Sequence, residues 1–265
     1  MKKWLILVVV LLVVIVGVAY SGYNDYMKTR SDGILPVLGT YHQENIAVKQ
    51  QNQPNHSNQE NQRSFNFYTP KNLIENPAIV FVLHGSKGTG SKVRFQSGYQ
   101  YDYLAESKGE FIVVYPDGYQ NHWNDCRASA SYAANQENID DPAFFNQMIN
   151  YFVAKHNIES ERVFATGFSN GGHMVYRLGL EMPEKFTALA AIAANLPVED
   201  NSDCVASDKP VSIAVFNGTK DPINPYEGGL VDVFGDTSRG SVLSALHTVK
   251  YWVDLAQLTI SHETI

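Results

Sequence analysis

Two cysteines in 265 residues are too few for a disulfide-dense scaffold, and 19 glycines are too few for a collagen-like chain. No cluster of lysine or arginine follows the first three residues, and the formal net charge is −7 with an isoelectric point near 5.6. Nucleic acid is therefore excluded as a partner, because nothing in the chain gains from releasing phosphate counterions. No internal repeat is visible. What is present is 44% hydrophobic and 12% aromatic residues against 18% charged, which rules out a wholly disordered chain and is ample for a sizeable core. At this length the chain holds one large domain or two small ones.

The chain opens with an export pattern. Lys2 and Lys3 precede an uninterrupted apolar run from Trp4 to Tyr20, in the charged-then-hydrophobic order of a secretory signal. Ala19-Tyr20-Ser21 offers small residues to a signal peptidase, yet the run is longer than the ~7–15 residues of an ordinary signal core and falls just short of the ~20 that span a bilayer. Residues 1–21 are thus expected to be either a signal peptide or a membrane anchor. The rest is expected to be secreted, or held at the outer face of the membrane by residues 4–20; any membrane contact would run through this segment alone. No cysteine lies nearby, which excludes a lipid-anchored lipoprotein. Residues 22–62 read as an exported linker: Ile34 to Val48 carries a faint signal for one or two short edge strands, and nine of the thirteen residues from Gln50 to Gln62 are Gln or Asn. Such a polar tract cannot offset the entropy of ordering its backbone.

From Arg63 onward, short apolar runs rich in β-branched residues alternate with helical stripes. The expected strands are Ser64–Tyr68, Ala78–Leu83, Phe111–Tyr115, Val163–Thr166, Ala188–Ala193 and Val211–Phe216. Helices are expected over Asp141–His156, with Phe144, Phe145, Met148, Ile149 and Phe152 on one face, over Gly172–Glu181, and over Val242–Leu258, with a stripe through Leu243, Leu246, Val249, Trp252, Val253 and Ala256. This alternation predicts an α/β fold with a mostly parallel sheet and helices on both faces over residues 63–265. The chemistry of such sheets sits at the carboxyl ends of the strands.

Gly167-Phe168-Ser169-Asn170-Gly171 stands at one such end, between an expected strand and an expected helix. A nucleophile on a tight strand-to-helix turn needs small neighbours, so Ser169 is the candidate nucleophile and the Asn170 amide a candidate oxyanion donor at the helix N-terminus. Val80 to Ser86 reads as a buried strand running into His84-Gly85 and a glycine-rich loop, where the Ser86 amide is the candidate second donor. His84 is expected to shape that loop rather than act as base. Gly85 and Gly90 have the spacing of a phosphate-binding loop, but Ser91-Lys92 follow where that motif needs lysine directly after the glycine. Asp221, in Asn217-Gly218-Thr219-Lys220-Asp221-Pro222 after Val211–Phe216, is the candidate triad acid. Its simpler reading is an Asp-Pro turn.

Leu83-His84-Gly85, Tyr115-Pro116-Asp117-Gly118, Trp123 through Cys126, Asp140-Asp141, Gly167 through Gly172, and Gly218 through Asp221 followed by Pro225-Tyr226-Glu227-Gly228-Gly229 occur in that order. From Arg63 to the end the chain resembles the secreted polyhydroxybutyrate depolymerase and feruloyl esterase group of α/β-hydrolases. The resemblance implies hydrolysis of carboxylic esters outside the cytoplasm, of polyhydroxyalkanoate or of feruloylated and acetylated polysaccharides, with no metal or organic cofactor. It implies Ser169 as nucleophile, Asp221 as triad acid, and Trp123 and Tyr226 lining the substrate cleft, although either ring could equally be core packing. Cys126 and Cys204 fall in regions where the group also carries cysteines, which with an even count in an oxidising compartment implies one disulfide; two free thiols are the alternative.

The histidine base is the missing element. Only His247 and His262 follow Asp221, and the group's Gly-x-x-His-x-Trp-Pro type of segment does not occur. His247 lies within an expected helix, and His262 lies in Thr259–Ile265, which reads as the start of a further strand. The expectation is a fold whose final strand and histidine loop are missing. Two classes follow: a serine ester hydrolase, or a catalytically inactive hydrolase fold that binds a carbohydrate or polyester. A serine peptidase on the same scaffold is disfavoured by the resemblance to esterases.

Overall fold

In the computed structural model of the protein, residues 38–49, 60–159 and 161–259 are described. The export segment, residues 50–59 of the Gln/Asn tract and His262 lie outside the described residues.

Seven strands form one mixed sheet in the order β1-β2-β4-β3-β5-β6-β7. They are β1 Thr40–Lys49, β2 Glu60–Thr69, β3 Ala78–Leu83, β4 Phe111–Pro116, β5 Val163–Phe168, β6 Ala188–Ile192 and β7 Ser212–Phe216. β1 and β2 pair antiparallel from Thr40↔Thr69 to Lys49↔Glu60, β2 runs antiparallel to β4, and β4-β3-β5-β6-β7 are parallel throughout. A separate two-stranded ribbon joins β8 Gly229–Leu230 to β9 Ser241–Val242. The α/β architecture and the mostly parallel sheet are as the sequence predicts. The sheet, however, begins at Thr40, inside the stretch read as linker. β1 is an edge strand with a single neighbour among the described residues, so its outward positions include Gln43 and Asn45 and its apolar alternation is reduced to Ile46 and Val48.

The central strands read as continuous apolar runs because both faces are covered: Ile79, Phe81, Val82 and Leu83 of β3 are all buried. Helices α1 Gly90–Gln96 and α2 Gln100–Lys108 follow β3, and the short α3 Ala133–Gln136 and long α4 Asp141–His156 follow β4. α4 starts where Asp140 accepts a hydrogen bond from Ala143 N at 2.9 Å and stops at Asn157, whose φ of 52° ends the helical path. Its stripe of Phe144, Phe145, Met148, Ile149 and Phe152 is buried, with Phe145 edge-on to Phe81 at 5.2 Å.

α5 Asn170–Glu181 is the most enclosed helix, buried from Asn170 to Leu180. α6 Ala245–Leu255 is capped by Ser244, which accepts from His247 N. Its expected apolar stripe is only partly covered: Trp252 is buried and stacks on Tyr176 at 6.1 Å, whereas Leu246 and Val249 are exposed. Among the described residues β7 has a neighbour only at β6, and Val211, Ile213 and Val215 share an open groove of about 550 Å³ with Val249 and Trp252. Cys126 and Cys204 form a disulfide with their Cα atoms 5.0 Å apart, resolving the choice between a bridge and two thiols.

Candidate active site

β5 hands over to α5 through a single residue, Ser169, held at φ 55° and ψ −119°. Side chains other than glycine rarely adopt that region, and such strain persists only where the surroundings fix it. Here Ser169 N donates to Ile192 O at 2.9 Å and Ser169 O accepts from His173 N at 2.9 Å. The flanking glycines are required by proximity: a Cβ on Gly171 would lie 2.6 Å from the carbonyl oxygens of both Leu83 and His84, and one on Gly172 would lie 2.9 Å from the Ala194 methyl. Gly171→Ala therefore forces α5 off the end of β3, since backbone oxygens cannot rotate away. The expected cost is about 1–3 kcal/mol, read as a shift in the urea midpoint.

The loop after β3 lies against this turn, with a Cβ on Gly85 meeting Ser169 Cβ and Phe168 Cδ1 at 3.4 Å. It carries Ser86, half-buried, within a turn closed by Gly88 N donating to Gly85 O at 3.0 Å. Two side chains fix the loop. His84 Nε2 accepts from Gly118 N at 2.9 Å, so the ring is neutral with its proton on Nδ1, which donates to Gly85 O at 2.7 Å. Both nitrogens are occupied and burial lowers the ring's pKa, consistent with a loop-shaping role. Asp117 Oδ1 accepts from Gly90 N at 2.8 Å and its Oδ2 from Ser64 Oγ at 2.7 Å. Ser169, Ser86 and Asn170 are thus neighbours at the carboxyl edge of the sheet.

The Asn170 side chain does work the sequence reading did not assign. Its Oδ1 accepts from Trp123 N at 2.8 Å, while Nδ2 donates to Asp125 Oδ2 at 2.6 Å, Trp123 O at 3.1 Å and Tyr132 Oη at 3.2 Å. Asp125 is fully buried and takes both Nε and Nη2 of Arg127, at 3.0 and 2.6 Å. Burial pushes the Asp125 carboxyl up, but the Arg127 guanidinium outweighs it and holds the pKa well below the usual range. A second buried pair, Arg63 Nη2 to Asp141 Oδ1 at 2.7 Å, anchors β2 to α4, and the other Asp141 oxygen accepts from Asn124 N at 2.7 Å. The only signal available beforehand was the local Asp-x-Arg spacing of Asp125 and Arg127; nothing in it points to Asn170.

Trp123 does not open onto a cleft. It is fully buried, its indole N–H donates to His84 O at 2.9 Å, and its ring packs against His84 and Phe145, so the packing alternative holds for it. Tyr226 is half-buried and its carbonyl accepts from Ala245 N at 2.8 Å.

Asp221 lies beyond β7, two strands across from Ser169. Its Oδ1 accepts from Ile223 N and Asn224 N, both at 2.9 Å, which orients the carboxylate; no described residue hydrogen-bonds to Oδ2. Behind the elbow, His173 of α5 is buried beside Asn195 and Asn224, and burial together with the Arg127 charge lowers its pKa to about 3. The unfolded chain binds this proton more readily, near pH 6.5, so the neutral ring's contribution is complete above that value and is lost as pH falls towards about 3. Melting temperatures over that interval should fall less steeply for His173→Gln than for the wild type, the difference being at most about 1.4 kcal/mol per pH unit.

His247 is not at the elbow; it is exposed in the first turn of α6 with Nδ1 2.7 Å from Ser244 Oγ. Among the described residues no group of three or more His, Cys, Asp or Glu is placed to hold a metal, and no helix is long and apolar enough to cross a membrane.

Known proteins similar to this chain include esterases. The chain is 36% identical over 128 residues to feruloyl esterase B of Neurospora crassa, covering 47% of this chain and 41% of that one. It is 30% identical over 173 residues to acetylxylan esterase A of Talaromyces purpureogenus, covering 61% of this chain and 44% of that protein. It therefore spans less than half the length of these relatives. Among solved structures, an acetyl xylan esterase from Aspergillus awamori matches at 26% identity with a TM-score of 0.40, over 57% of this chain and 51% of that one. A thermostable esterase matches at 19% identity with a TM-score of 0.47, over 82% and 52%. The sequence model of the Esterase PHB depolymerase family matches residues 63–218, more than half of the chain and the span from within β2 to the residues just after β7, and the chain belongs to that family.

Proposed function

We propose that this chain is the core of an exported carboxylic ester hydrolase with Ser169 as nucleophile. The supporting observation is the strained Ser169 backbone at the mouth of β5, set beside Gly85 and at the N-terminus of α5. In this reading Ser169 Oγ gives its proton to a histidine and bonds to the ester carbonyl carbon, while the carbonyl oxygen takes negative charge facing the Ser86 and Asn170 amides. The alkoxide leaves with the proton from the histidine, and water then cleaves the acyl-serine. Asp221 orients the histidine. The substrates are polyhydroxyalkanoate-type esters, following the family, or feruloyl and acetyl esters of polysaccharides, following the relatives.

A second reading, a binding protein on an inactive hydrolase fold, draws support from three of the described histidines: His84 uses both ring nitrogens, His173 is buried behind the elbow and His247 sits at the α6 cap. The two readings separate when the 265-residue chain is incubated with p-nitrophenyl acetate and a fluorophosphonate. A burst of nitrophenol with covalent labelling at Ser169 supports the hydrolase, and turnover abolished by His262→Ala identifies the base. A folded chain that neither turns over nor labels favours the binding reading for this chain. Export is checked by N-terminal sequencing of protein recovered outside the cell.

A further inference from the structure

The turns around α3 border a polar cleft of about 590 Å³, a size typical of ligand sites, whose lining includes Asn135, Gln136, Asn138, Arg177 and Asp203. Arg177 lies two helical turns beyond Ser169, about 12 Å along the α5 axis at 1.5 Å per residue, so the cleft is separate from the elbow. Several of its polar groups are fixed by the fold with one side left over. Asn135 Nδ2 donates to Arg127 O at 3.1 Å, and Asn138 Oδ1 accepts from Asn124 Nδ2 at 3.2 Å. Asn135 Oδ1, Asn138 Nδ2 and the exposed Gln136 amide have no hydrogen-bond partner among the described residues. Arg177 is buried and held by Glu181 through Nε at 3.1 Å and by Asn124 O through Nη1 at 2.8 Å, which leaves Nη2 to the cleft.

This chemistry selects its ligand. The carbon-rich side chains in the lining are no larger than alanine, which disfavours an apolar guest. The one guanidinium is balanced by the one carboxylate of Asp203, which disfavours a charged one. The Asn135 and Asn138 amides, each held on one side, together with the Gln136 amide offer donors and acceptors that match hydroxyl groups, each of which donates and accepts. We infer that this cleft binds a neutral oligosaccharide, as a contact site apart from the nucleophile. The inference stands whether or not Ser169 is catalytic.

The test is calorimetric titration of the full chain with xylohexaose, cellohexaose and, as a charged comparison, an oligogalacturonate. Saturable binding of a neutral hexasaccharide is expected, weakened about tenfold or more in a Gln136→Ala/Asn138→Gly variant, a loss of about 1.4 kcal/mol or more. Glycine is chosen at 138 because its φ is 44°, and Gln136→Ala alone serves if the melting curve shows the pair disturbs folding. No binding at millimolar sugar, unchanged affinity in the folded variant, or preference for the oligogalacturonate would each overturn the inference. Turnover of p-nitrophenyl acetate is read separately, so protein that hydrolyses the ester without binding sugar refutes the cleft and spares the esterase reading.

Discussion

Where a histidine base completes the site, replacing Ser169 by alanine is expected to lower kcat/KM for p-nitrophenyl acetate by about 10⁴- to 10⁶-fold while leaving the melting temperature unchanged or raised. The loss follows from removing the only atom that can form the acyl intermediate; what remains would come from the oxyanion donors and substrate binding. The stability side is the more specific prediction. At φ 55° and ψ −119° the residue carries strain whichever side chain it bears, and alanine removes no hydrogen bond, because the elbow is held through backbone atoms by Ile192 O and His173 N. A rate loss accompanied by a substantial fall in melting temperature would mean that the serine hydroxyl is structural. A rate that survives would remove Ser169 from the mechanism.

The largest expected effect on stability comes from Asp125. Asp125→Ala leaves the Arg127 guanidinium buried without its counter-charge and deprives Asn170 Nδ2 and Tyr132 Oη of an acceptor, at an expected cost of about 3–5 kcal/mol. The pair's contribution depends on pH in a defined direction. The folded pKa lies below the unfolded one, so the stabilisation is complete above the ordinary carboxylate range and is lost as pH falls through it towards the lower folded value. Urea unfolding at neutral pH should therefore show the full difference, and the two proteins should converge in acid. Since Asn170 ties this pair to the elbow, a folded Asp125→Ala protein should also lose catalytic rate more than substrate affinity. Replacing both Asp125 and Arg127 by apolar residues should recover much of the stability, because the penalty lies in the orphaned charge and not in the absence of a salt bridge.

The parts of the fold legible in the sequence were those where one physical effect dominates. β3, at Ala78–Leu83, is enclosed on both faces and shows as an unbroken apolar run, and α4, at Asp141–His156, combines a periodic apolar face with an Asp140 cap. The elbow was legible because Gly167, Gly171 and Gly172 are forced by close backbone contact. β1 was legible only faintly, as the edge strand expected within Ile34 to Val48, because an edge strand paired through its backbone places no demand on its outward side chains. Trp123 was left open for a related reason: an aromatic beside a motif looks the same whether it faces solvent or core, and the acceptor that claims its N–H, His84 O, is 39 residues away. The same distance problem hid the Asn170–Asp125 link, which joins residues 45 apart. Hydrogen-bond partners across such separations are chosen by the assembled fold, and local spacing carries no record of them.

The open side of β7 has a colloidal consequence. Its exposed row of Ser212, Ala214 and Phe216 carries no charge, and its outer backbone groups face no strand among the described residues. An uncharged strand edge is a template for the edge of another molecule. The net charge of −7 opposes such contact, and that repulsion fades as the solution approaches the isoelectric point near 5.6 or as added salt shortens the screening length.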